Sequence, residues 1–117
     1  MLPKPIVLIV EDEEESRETL QELLELEGYR VQTASNGKEA LVRLDEIGDD
    51  GCIMLLDLFM PVMDGWELVD KLRADGRLDR IKIVVTTSAS HQAPAGFPVF
   101  EKPLDIDKLL RTVDAIC

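Results

Sequence analysis

Chemistry-bearing residues sit at four places where a short apolar run gives way to polar sequence. Glu11 and Asp12 follow the run 6–10, and Asp57 closes Cys-Ile-Met-Leu-Leu. Thr87 and Ser88 end the run that starts at Ile83, and Lys102 stands before Pro103. Three carboxylates drawn within a few ångströms repel one another and favour a hard divalent cation bound through oxygen. Mg²⁺ suits such a set, since it takes few protein ligands and keeps waters that a phosphate can replace. With that charge and the Lys102 ammonium offsetting the transferring oxygens, one carboxylate can attack a phosphoryl group. The Thr87 hydroxyl and a neighbouring backbone N–H can hold another oxygen. The product of that chemistry is an aspartyl phosphate.

Each residue also has a plainer reading. Acidic residues after a strand commonly serve a helix N-terminus, and Glu13–Glu15 are read that way. A Lys-Pro pair is usually only a loop. Asp57 resists such a reading, because a charge closing an apolar run is costly without partners. The combination at four run ends favours a site.

Such a site needs a scaffold that brings the run ends together. Strands are expected at 6–10, 29–33, 52–56, 83–86 and 97–100. These runs are short, aliphatic and largely free of alternation, as in parallel strands buried on both faces. Pro98 confines the fifth to a sheet edge. A helix is expected over 16–26, stopped at Gly28. Others start at Asn36, with Glu39 completing a capping-box pattern, at Asp64, and at Asp105. Strand and helix alternate, so the class is α/β with right-handed crossovers. In such a sheet ligands bind beyond the carboxyl ends of the strands, where strand order reverses. One crossover is too short. Residues 88–96 include Pro94, Gly96 and three alanines, which leaves room for at most one or two helical turns and predicts a less covered sheet there.

The 117 residues carry a formal charge of −11. That size fits one domain with a core of its own, and the charge argues against bulk binding to nucleic acid or anionic membrane. Cys52 reads as a small buried hydrophobe and Cys117 as the chain terminus, so no disulfide framework is expected and the cytoplasm is the default compartment. The apolar run 6–10 is too short for a membrane span or signal peptide. His91 reads as a solvated loop residue, and Met60 and Met63 as packing.

The motifs Ile-Val-Glu-Asp-Glu (9–13), Leu-Asp-Leu-Phe-Met-Pro-Val-Met-Asp-Gly (56–65), Ile-Val-Val-Thr-Thr-Ser (83–88) and Glu-Lys-Pro-Leu (101–104) together resemble the receiver domain of two-component response regulators. The likeness runs from about Ile6 to the C-terminus. It implies a flavodoxin-like, doubly wound, five-stranded parallel sheet of order 2-1-3-4-5, here with the fourth crossover helix shortened or missing. It implies that Asp57 is the phosphoacceptor. Asp12 would ligate Mg²⁺, Glu11 would hold it through water, and Phe59 would offer its backbone carbonyl. Thr87 would engage the phosphoryl group and Lys102 would be its cationic partner, with a cis bond before Pro103. The implied partners are a histidine kinase or histidine phosphotransfer protein and an unknown output protein, with no direct nucleic-acid or membrane binding. The chain is expected to be a single receiver domain over 1–117, stand-alone or excised from a larger regulator or hybrid kinase. Catalysis would be confined to its own phosphorylation and dephosphorylation.

Three positions depart from the pattern. Ser88 replaces a small residue, Val99 occupies the place of an aromatic switch residue, and the fourth crossover is short. The last of these supports a rival reading, a pseudo-receiver or scaffold that binds partners without phosphorylation; the intact acidic cluster opposes it. An FMN-binding flavodoxin would share the fold, but Glu11–Glu14 would repel the flavin phosphate.

Overall fold

The computed structural model describes residues 5–48 and 52–116. Cys117 lies outside them. Strands β1 (Ile6–Val10), β2 (Arg30–Ala34), β3 (Cys52–Asp57), β4 (Ile81–Thr87) and β5 (Val99–Glu101) make one parallel sheet in the order 2-1-3-4-5. Helices α1 (Glu14–Leu26), α2 (Gly37–Ile47), α3 (Gly65–Ala74) and α4 (Ile106–Ile116) cover its two faces. Strand order reverses between β1 and β3, and the cleft this opens lies at their carboxyl ends.

The absence of alternation in the central strands has a direct cause. Val7, Ile9, Ile53, Leu55 and Val84 pack into one layer with Leu20 and Leu24 of α1 and Leu109 and Val113 of α4. Leu8, Val10, Met54, Leu56 and Val85 pack into the other with Ala40 and Leu44 of α2 and Leu68 and Leu72 of α3. Each fully buried aliphatic side chain contributes about 1.5–3 kcal/mol. β1 and β3 are buried along their whole length.

The edges of the elements shift for local reasons. β2 starts at Arg30 because the Tyr29 N–H donates to the Leu24 carbonyl (3.1 Å), closing α1 after Gly28 at φ 91°. β4 is longer than expected at both ends, pairing Ile81 with Cys52 and Thr87 with Glu101. β5 is shorter, because Pro98 has no N–H and gives only its carbonyl, to Val85 N–H at 2.9 Å. α1 begins two residues early, with Glu14 and Glu15 in its first turn, where the helix dipole favours them. Asn36 caps α2 by accepting Glu39 N–H at 2.8 Å, but the Glu39 carboxylate accepts from Ser35 Oγ instead of completing a box. The full capping box is at Asp64 and Glu67. Asp105 Oδ1 accepts Lys108 N–H at 3.1 Å.

The fourth crossover holds a single 3₁₀ turn, Ser90–Gln92, and no α-helix. Beneath it β4 is covered, with Ile83 3% exposed and Val85 0%, while Val99 of β5 on the same face stays half-buried. Ala93, Phe97, Val99 and Trp66, all partly buried, pack against that layer alongside Leu68 and Leu72 of α3. Val99 packs on this layer and Phe100 on the opposite one, which keeps Phe100 out of the aromatic-switch place. No helix among the described residues is long and apolar enough to cross a membrane.

Candidate functional site

The cleft at the strand ends is built from β1, β3, β4 and β5. The Glu11 N–H donates to the Ala34 carbonyl at 3.0 Å, which carries the β1–β2 ladder one residue past β1 and holds Glu11 at the sheet end. Asp57 is the last residue of β3 and 4% exposed; Glu11 is 3% exposed. Asp12, exposed at the mouth, completes the group: carboxylate oxygens of Glu11, Asp12 and Asp57 lie within 4.8 Å of one another.

Lys102 enters from the end of β5. Its N–H donates to the Thr87 carbonyl at 2.8 Å, and its peptide bond to Pro103 is cis, as expected. Its Nζ lies 3.1 Å from Glu11 Oε2 and 3.5 Å from Asp57 Oδ2. Burial alone would lower the Lys102 pKa; the facing Asp57 and Glu11 carboxylates outweigh it and hold the ammonium above its ordinary value. Glu11 goes the other way. Burial first, then the charge of Asp57 and a hydrogen bond shared with it, push its carboxyl up to about 7, against the opposing pull of Lys102. One ammonium therefore does not balance this cluster. Two like charges 4 Å apart at an effective dielectric of 20 repel by about 4 kcal/mol, so a further cation is favoured beside them.

An all-oxygen set of two buried carboxylates and one exposed one, with a surplus of negative charge, fits a hard divalent cation. Phe59 N–H donates to Asp57 Oδ1 at 3.3 Å, tying the start of the β3–α3 loop to that carboxylate. Thr87, fully buried at the end of β4, adjoins Lys102 through the main chain, and its Oγ1 accepts Ala89 N–H at 3.1 Å. The structure thus unites Glu11, Asp12, Asp57 and Lys102 through their side chains. Phe59 and Thr87 border that group.

Three supports were not read from the sequence. Arg17 of α1 donates to the Glu11 carbonyl at 2.9 Å and approaches that of Asp12 at 3.5 Å, fixing the loop that carries both acids. The signal was available, because helical side chains lean toward the N-terminus and an arginine in the first turn reaches the preceding loop. Gly37 N–H donates to the Met63 carbonyl at 2.9 Å, and a Cβ on Gly37 would meet Met63 Cγ at 2.8 Å, so only glycine admits this approach of α2 to the loop. Val62 has φ 70°, with Met63 N–H donating to the Pro61 carbonyl at 2.8 Å around it. A β-branched residue there contradicts local preference, and no sequence signal announces it.

The family model for the response regulator receiver domain matches residues 7–114. The chain is 38% identical over 82 residues to the transcriptional regulatory protein CpxR homolog of Haemophilus influenzae, covering 70% of this chain and 34% of that protein. It is 38% identical over 89 residues to hybrid signal transduction histidine kinase D of Dictyostelium discoideum, covering 76% of this chain and 6% of that one. The chain therefore spans only a minor part of these two relatives. Among solved structures, response regulator protein TrrA of Thermotoga maritima, in complex with Mg²⁺-BeF, superposes with a TM-score of 0.81 at 30% identity, over 97% of this chain and 99% of that one.

Proposed function

From the premise that the chain belongs to the response regulator receiver family, we propose that it is a phosphorylation-dependent switch in which Asp57 accepts a phosphoryl group from a histidine of a partner protein. The observation that carries this reading is the convergence of Glu11, Asp12 and Asp57 beside Lys102 at the sheet's switch point. An Asp57 carboxylate oxygen attacks phosphorus, the P–N bond to the partner's imidazole breaks, and the imidazole leaves with the electron pair and takes up a proton. Lys102 offsets charge on the transferring oxygens, and Thr87 donates its hydroxyl proton to one of them. Asp12 and Asp57 would hold Mg²⁺ directly, Glu11 through water, and Phe59 through its carbonyl. The cation supplies charge neutralisation for the transferred group. A histidine kinase or phosphotransfer protein fits as donor, because the acceptor is a carboxylate and the phosphoramidate of histidine is a higher-energy source. A separate output protein or domain would read the switch.

Beryllofluoride, a mimic of the phosphoryl group, tests the reading. Tight binding that requires both Mg²⁺ and the Asp57 carboxylate is the expected result. A chain that ignores beryllofluoride with Mg²⁺ present acts instead as a scaffold.

A further inference from the structure

We propose that Trp66 is a positioning residue that latches the short fourth crossover to the phosphoacceptor loop, and that phosphorylation of Asp57 opens the latch. The proposal rests on the reading of Asp57 given above. Trp66 is the second residue of α3. Its indole Nε1–H donates to the Gln92 carbonyl at 2.9 Å, and its ring meets that of Phe59 edge to face, with centroids 5.1 Å apart and planes at 79°. Phe59 N–H in turn donates to Asp57 Oδ1. At the other end of the same turn, Ala89 N–H donates to Thr87 Oγ1. The 3₁₀ turn Ser90–Gln92 is therefore fastened on one side by Thr87 and on the other by Trp66, and each fastener leads back to a group that a phosphoryl oxygen would engage.

Among the described residues, the turn Ser90–Gln92 itself buries no side chain. Its own bonds are Gln92 N–H to Ala89 (3.0 Å) and Ala93 N–H to Ser90 (3.2 Å), and Ser90 Oγ adds an exposed contact to Glu101 at 3.3 Å. A segment with so few internal contacts changes population when a single fastener weakens. An acyl phosphate on Asp57 removes the negative charge from the oxygen that Phe59 N–H uses, so that bond weakens and the hold of Phe59 on the Trp66 ring weakens with it. Thr87, turning its hydroxyl toward a phosphoryl oxygen, reorients the oxygen that holds Ala89. Both changes act on the same three residues.

The chain has one tryptophan, so its indole N–H signal is assigned without ambiguity. In the Mg²⁺-saturated protein, beryllofluoride should speed indole N–H exchange by about five- to tenfold, the worth of one such hydrogen bond. In Trp66→Phe, which keeps a ring against Phe59 but has no donor, beryllofluoride should still bind, while amides 89–93 exchange fast whether or not it is present. Unchanged indole exchange in wild type with beryllofluoride bound would overturn the latch alone, as would wild-type protection of 89–93 in Trp66→Phe. Failure of wild type to bind beryllofluoride would overturn the Asp57 reading and the latch with it.

Discussion

Asp57 ends a strand of five apolar residues, where its carboxylate meets the Lys102 ammonium and the Phe59 N–H. The arrangement remains unbalanced in the absence of metal, since Glu11 is pushed up to about 7. Two expectations follow. Lys102→Ala should lower metal-free stability by about 1–3 kcal/mol, because two buried carboxylates lose their cation; part of that loss should return with Mg²⁺. Urea denaturation with and without the metal checks both halves, and equal stability of variant and wild type would contradict them. Mg²⁺ itself should stabilise wild type by about 1.4 kcal/mol at ten times its Kd, a Tm rise of about 5–10 °C. Trp66 emission should change over the same titration, because Phe59 links the site to that ring. Flat Tm and flat fluorescence through millimolar Mg²⁺ would remove the metal from the account.

At the scale of elements, the β3–α3 loop is the part under strain. Val62 is 75% exposed at φ 70°, so its side chain contributes little packing while its backbone conformation costs about 1–3 kcal/mol. Val62→Gly should therefore raise stability by about 1 kcal/mol, after the entropy lost in fixing a glycine. A destabilised variant in the same denaturation assay would show that the valine side chain makes a contact of its own. These elements also show what a sequence can tell. Asn36, Asp64 and Asp105 announced their helices because a capping side chain bonds residues only three positions away. The alignment of Glu11, Asp57 and Lys102 was legible because strand ends in a parallel sheet share one edge. The Trp66–Gln92 bond was not, since it spans 26 residues through a loop whose path no periodicity sets. The packing of Phe97 and Trp66 against the same core layer was missed for a similar reason, because both read as ordinary apolar residues until the path of the chain brings them to it.

Across the whole molecule, a charge of −11 surrounds the site at which we propose phosphoryl transfer. That charge repels free polyanions, so a phosphohistidine donor of the kind proposed would need a surface able to approach an acidic protein, such as a basic rim around its histidine. Lys102 and a bound Mg²⁺ would be local exceptions to that field, and the proposed function requires that Asp57 become phosphorylated. Intact-mass measurement after incubation with acetyl phosphate, followed by peptide mapping, answers this most directly. Wild type with Mg²⁺ should gain the mass of one phosphoryl group, mapped to Asp57, and neither wild type in EDTA nor Asp57→Asn should gain it. The same gain in Asp57→Asn would contradict the account.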